Sequence, residues 1–422
     1  MKRLCIAALW VLLALTTCTA ALAGDAALRP GDYVAVVGDS ITEQRLYSMY
    51  IEDYLLMCKP TSGLRVTQFG WSGETAPGFA ARMANDMLRF HPNVATTCFG
   101  MNDGAYSPMD PAKEQRYRDA QKSIVAQMKK AGVRLIVVGS PGCVDADTFA
   151  GHNPKAAIMY NKTLSQLRDV AESVAAEEGV VFADVFDPMM DVMTKAKAKY
   201  GKDYHVAGAD GVHPFPNGHL VMAYAFLKAL GCDGDIGTIK VDLAANKAEA
   251  SDGHKVLSFA DGRMEIESEK YPFCFFGDPA KPNSTRGVLE FFPFNEDLNR
   301  FKLVVANLGA EKAKITWGKT TKEFTAAQLE KGVNLAAEFL DNPFAKPFRK
   351  VQEQVRRQQD MEVGLIKTLI HDLPGYKIAL PGEEKTLERL AEGLAERDRE
   401  ARDASAAAVV PVKHRIRIEA VK

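Results

Sequence analysis

Tyr33-Val34-Ala35-Val36-Val37-Gly38-Asp39-Ser40 opens with a short apolar run, rich in β-branched residues, that halts at a glycine. A strand with no polar face is covered on both sides, as in a parallel sheet flanked by helices. The segments that follow repeat the pattern. Ile41 to Met57 has apolar residues at helical spacing. Leu64 to Phe69 reads as a strand, Pro77 to Phe90 as a helix and Val94 to Phe99 as a strand. Then come a helix over Pro111 to Lys130, a strand over Leu135 to Val138, a helix over Ala156 to Glu178, a short strand at Val180 to Phe182 and a helix over Val221 to Leu230. Alternating strands and helices predict an α/β unit with its sheet between two helical layers. In such sheets ligands bind at the carboxyl ends of the strands.

After Cys232 the texture changes. Ile239 to Leu243, Val256 to Phe259, Met264 to Glu267, Val288 to Phe292, Leu303 to Ala306 and Ile315 to Trp317 are strand-like, with turn residues between them. They predict a small β-sandwich over 233–340. Residues 341–404 read as a charged helical segment, and Glu383 to Arg402 as a solvated helix face. Residues 405–422 return to strand alternation and are expected to rejoin the sandwich.

Lys+Arg number 53 and Asp+Glu 54, a formal net charge of −1. Near-neutrality argues against nucleic acid as partner, which needs a clustered basic surface. Residues 1–23 read as a signal peptide, with Lys2 and Arg3, an apolar core and Ala21-Leu22-Ala23 before Gly24. Export to the periplasm or the medium is the expectation, with lipid anchoring at Cys18 the alternative. The apolar run is too short to span a bilayer, and no integral span is expected after cleavage. Cys58, Cys98, Cys143, Cys232 and Cys274 would remain, without a C-x-x-C pair, so neither a zinc site nor a dense disulfide framework is expected.

Each candidate site residue has a plain alternative. Ser40, between the first strand and the first helix, is a candidate nucleophile or a helix N-cap. Asp210-Gly211-Val212-His213 lets a carboxylate turn onto an imidazole, or is a surface turn. Asn102, in Gly100-Met101-Asn102-Asp103, could donate its amide to an oxyanion, or belong to an Asn-Asp-Gly turn. Gly73, in Ser72-Gly73-Glu74-Thr75, offers a backbone N–H or is a loop glycine. Trp71 and Tyr106 are candidates for an acyl or sugar pocket, with packing as the alternative. Asp145, Asp147 and His152 cluster after one strand, but loop polarity explains them better than a metal.

The order Ser, Gly, Asn, Asp/His, with the first three blocks each directly after a strand, resembles the SGNH hydrolases, or GDSL-type esterases and lipases. The resemblance spans about Gly31 to Leu230, with Ile41 where the eponymous Leu often stands. It implies a flavodoxin-like three-layer α/β/α hydrolase domain over 24–232. It further implies Ser40 as nucleophile, His213 as general base then acid, and Asp210 as its orienting partner. The oxyanion hole would be the N–H groups of Ser40 and Gly73 with the Asn102 amide. The implied reaction is ester hydrolysis through an acyl-enzyme, without metal or cofactor. A small-molecule or polysaccharide acyl ester is the expected substrate, carbohydrate O-acetyl esters among them. The rival readings are a lysophospholipase or thioesterase-like enzyme, and a non-catalytic carbohydrate-binding envelope protein on the same scaffold.

Overall fold

A computed structural model describes residues 27–421. The expected signal peptide lies outside them. The first sheet is parallel, with strands β1 (Tyr33–Gly38), β2 (Arg65–Gly70), β3 (Val94–Cys98), β4 (Leu135–Gly139) and β5 (Val181–Ala183) in the order β2-β1-β3-β4-β5. This is the flavodoxin-like order. All of β3 and β4 is buried; β4 is apolar throughout, while β3 carries Thr96 and Thr97 into the interior. Helices α1 (Ser40–Glu43), α2 (Tyr47–Asp53), α3 (Ala76–Asp86), α4 (Pro111–Lys130), α5 (Pro154–Glu178), α6 (Phe186–Tyr200) and α7 (Pro216–Ala229) flank it. α4 shows why such segments are helical: the Asp110 side chain accepts from the Lys113 N–H, Pro111 sits in the first turn, and Lys129 and Lys130 close the last. α3, α4 and α5 pack in sequence in one layer, and α2, α7 and α6 in another.

Two elements differ from expectation. Ile41 to Met57 is not one helix, because Arg45 is left-handed (φ +57°) between α1 and α2. The break is held from outside: buried His219 on α7 accepts the Tyr47 N–H at 3.2 Å and donates to Gln44 Oε1 at 2.8 Å. Burial pushes the His219 imidazole down to about 3, so it stays neutral. α6 had no counterpart in the sequence reading. Its buried Phe186, Met189, Val192, Met193 and Ala196 lie on one helical face.

Beyond Cys232 two sheets face each other. One has the order β13-β10-β6-β7 and the other β12-β11-β14-β9-β8. Their strands are β6 (Asp235–Asp242), β7 (Lys247–Ala250), β8 (His254–Ala260), β9 (Arg263–Ser268), β10 (Arg300–Ala306), β11 (Lys312–Trp317), β12 (Thr320–Thr325), β13 (Val333–Asn334) and β14 (Val412–Val421). Strand β14 enters between β9 and β11, so the chain's end does rejoin this unit. Phe301 of one sheet packs on Trp317 and His414 of the other. Val288 to Phe292 is not a strand: it runs as turns, with Phe292 packed edge-on against Tyr224 of α7. Its apolar residues anchor a loop to the hydrolase-like half instead of pairing in a sheet.

The helices after the sandwich, α8 (Ala345–Leu365), α9 (Leu373–Ala379) and α10 (Glu384–Ala407), return to the first unit. α8 and α10 cover the open edge of β2. Glu362 accepts the Gln68 N–H at 2.9 Å, and Gln358 donates to the Val66 carbonyl at 3.0 Å. Side chains thus satisfy an edge that would otherwise pair with another strand. Glu383 to Arg402 is solvated along most of its length, but Leu387, Ala391, Asp398 and Arg402 form a buried stripe. Arg402 pairs with Asp398 at 3.0 Å and lies over the Tyr33 ring.

This covering makes stability depend on pH. Burial pushes the Glu52 carboxyl up to about 8, against the opposing amides of Gln359 and Gln358, and raises Glu362 well above its usual range. Burial likewise takes Asp39 to about 7 and Asp103 to about 6. Each of these groups holds its proton more tightly folded than unfolded. Their contribution is complete below the ordinary carboxyl range of about 4 and is lost as the pH rises through their folded values. The melting midpoint is therefore expected to be several degrees lower at about pH 8.5 than at about pH 5. Differential scanning fluorimetry across that range checks this, and a midpoint rising with pH contradicts it.

Candidate active site

Just past β1, Asp39 Oδ1 accepts the Ile41 N–H at 2.9 Å. Asp39 thus does the capping, and the Ser40 hydroxyl is left to reach His213 Nε2 at 2.8 Å. His213 Nδ1 lies 2.6 Å from Asp210 Oδ2, and Asp210 Oδ1 accepts the Val212 and His213 N–H groups, both at 2.9 Å. Burial pushes the Asp210 carboxyl up, but these amides and the imidazole outweigh it and hold the group below its usual range. An ionised carboxylate on Nδ1 assigns the proton there and turns the Nε2 lone pair to the serine. Side-chain exposures of 33% for His213 and 56% for Asp210 leave the relay open to solvent and small molecules.

The Asp210 loop is wound tightly enough to need glycine. Gly208 has φ +84°, and a Cβ there would lie 1.7 Å from the His213 carbonyl oxygen. Beneath it, the Asp145 N–H donates to the Gly211 carbonyl at 3.0 Å. The buried Asp145 carboxylate holds the Lys197 ammonium and lies 3.1 Å from His205 Nδ1. Asp147 takes the same ammonium, and His152 contacts the Asp147 carbonyl. The cation between Asp145 and Asp147 is therefore a lysine, and the cluster braces the histidine loop.

Gly38 is in register with Gly70 on one side and Cys98 on the other. The loops bearing Ser40, Gly73 and Asn102 therefore leave three neighbouring strand ends. Gly73 is exposed with φ +75°, a conformation that other residues seldom adopt. Asn102 Nδ2 donates one hydrogen to the Glu74 carbonyl at 2.9 Å, tying the two loops and leaving its second hydrogen. Asp103 braces both loops by accepting the Ala76 and Gly100 N–H groups, each at 2.9 Å. Tyr106, 47% exposed, stacks on Tyr160, its hydroxyl 3.4 Å from Asn102 Oδ1. Trp71 lies elsewhere in the packing, its ring covered by Arg82, Lys367 and His371. The sequence reading missed Glu43, Lys197, Lys367 and His371. None sits in a motif, and Lys367 meets Glu43 across 324 residues of chain.

Residues 36–221 match the GDSL-like lipase/acylhydrolase family. This is a GDSL-like acylhydrolase domain, and the chain is an ester-hydrolysing hydrolase. The chain is 24% identical to an acetylxylan esterase from Geobacillus stearothermophilus over 225 residues, 48% of this chain and 94% of that protein. A crystal structure of an acetylxylan esterase from the same organism has 23% identity and a TM-score of 0.39, covering 48% of this chain and 95% of that one. The structure of a gut microbial diltiazem-metabolizing enzyme has 21% identity and a TM-score of 0.70, covering 93% of this chain and 98% of that one. The acylhydrolase domain, the sandwich and the covering helices thus recur together as one fold.

Proposed function

We propose that this acylhydrolase is an exported serine esterase that cleaves short acyl esters, O-acetyl groups on carbohydrate among them. The observation that carries the reading is the relay Ser40 Oγ–His213 Nε2, 2.8 Å, and His213 Nδ1–Asp210 Oδ2, 2.6 Å. His213 takes the Ser40 proton as Oγ attacks the ester carbonyl. Asp210 stabilises the imidazolium, and the N–H groups of Ser40 and Gly73 with the free Asn102 hydrogen receive the oxyanion. His213 returns the proton to the leaving alcohol, and water then releases the acid by the same steps in reverse. Tyr106, exposed beside Asn102, would face the substrate. The acetyl group and the carbohydrate follow the similarity to acetylxylan esterase.

Turnover of p-nitrophenyl acetate against a long-chain ester, and of acetylated xylan, tests the reading. Fluorophosphonate should label the wild type on Ser40 and leave Ser40→Ala unlabelled. Folded wild type that takes no label ends the proposal, and preference for the long chain replaces it with a lipolytic one. Export rests on residues 1–23, and Gly24 as the first residue of the mature protein is its test.

A further inference from the structure

We propose that Ile366–His371, supplied by the helical region after the sandwich, is a positioning device for the loop that carries Gly73, and that Lys367 is its principal positioning residue. The inference rests on the acyl-transfer reading of Ser40. It assigns to the helical segment a task besides covering the sheet edge.

Glu43 closes the short helical turn that begins at Ser40. One of its carboxylate oxygens accepts the Ser72 N–H, and the other accepts from Lys367 Nζ at 2.7 Å. The next peptide unit after the Ser72 amide carries the Gly73 N–H. A single carboxylate therefore joins the nucleophile's turn to the loop of the proposed oxyanion donor, and a lysine from α8's extension orients it. This pair is sheltered, with side-chain exposures of 23% for Lys367 and 17% for Glu43. Such a pair is worth more than a fully solvated one.

The residues flanking Ser72 and Gly73 are gripped as well. The Trp71 indole has the Arg82 guanidinium at 4.6 Å, the Lys367 ammonium at 4.7 Å and the His371 ring at 4.5 Å. Arg82 is itself paired with Glu74 and Asp86, and His371 Nδ1 lies 2.8 Å from Asp86. Gly73 is free of packing at its own Cα, where an added Cβ would meet no atom within 4 Å. Its N–H direction is therefore set by what holds its neighbours. Oxyanion donors act only when held within tenths of an ångström of the developing charge.

The test compares full-length Lys367→Met, Lys367→Arg and Glu43→Gln with wild type. With Lys367→Met, kcat on p-nitrophenyl acetate should fall about tenfold or more with KM little changed, since the lost interaction belongs to the transition state. Fluorophosphonate labelling should slow in parallel. Lys367→Arg should restore most of kcat, because a cation returns to Glu43. Glu43→Gln weakens the same link without changing side-chain shape, and covers the case in which Lys367→Met fails to fold. It should lower kcat severalfold at unchanged melting midpoint. A kcat within about twofold of wild type in either folded variant overturns the inference, as does an arginine variant no better than the methionine one. Wild type that neither turns over nor labels would instead remove the acyl-transfer reading, and this inference with it.

Discussion

Ser40→Ala is expected to lose about 10⁶-fold in kcat on p-nitrophenyl acetate, down to what the oxyanion donors and binding alone supply. The hydroxyl that meets His213 Nε2 at 2.8 Å is then gone, and nothing else in the relay offers a nucleophile. The fold should survive, because Asp39 and not Ser40 caps the turn. Loss of capping costs up to about 2 kcal/mol elsewhere, and no such penalty is expected here. His213→Ala and the double variant should be about as slow as Ser40→Ala, since the two act as a unit. Steady-state kinetics with a melting curve for each variant checks this. Additive losses from the two single changes would mean that they do not share one step.

Asp210→Asn is expected to cost about 10⁴-fold in kcat while leaving the loop in place. An asparagine Oδ1 can still accept the Val212 and His213 N–H groups that now reach Asp210 at 2.9 Å. Its other arm would then present N–H to His213 Nδ1, where the carboxylate now accepts. The imidazole would carry its proton on Nε2, facing Ser40, and could not take another from the hydroxyl. The same exchange removes the charge that stabilises the imidazolium. A pH–rate profile together with kcat separates this from simple unfolding. A variant retaining more than about a tenth of wild-type kcat would make Asp210 a loop residue only.

The motifs were legible because each is local chemistry at the end of a local pattern. An apolar run ending in Gly38-Asp39-Ser40 announces a strand and the turn after it. Gly100-Met101-Asn102-Asp103 does the same for a second loop, and Asp210 to His213 marks the turn before the last helix of the unit. The short stretch at residues 44–46 was misread because its break is imposed by His219, a residue 172 positions away from Tyr47. Val288 to Phe292 was misread because aromatic residues that plug a loop against Tyr224 have the same composition as a strand. The helical segment looked solvated because a stripe of Leu387, Ala391, Asp398 and Arg402 is thin and half polar.

Composition, periodicity and turn chemistry alone therefore predicted the alternation of strand and helix, the strand texture after Cys232 and the separate motifs, since each is written in residues close together in the chain. The candidate triad came from the order of those motifs, which resembles the SGNH hydrolases, and its two ends, Ser40 and His213, lie 173 residues apart. Only the tertiary structure decided which of Asp39 and Ser40 would cap, where the helical segment would dock, and what would hold the Gly73 loop. Those outcomes depend on partners such as Gln68 with Glu362, 294 residues apart, and Glu43 with Lys367. Their hydrogen bonds depend on where the packed chain brings them, and a pairing that exists only after folding leaves no spacing in the chain to read.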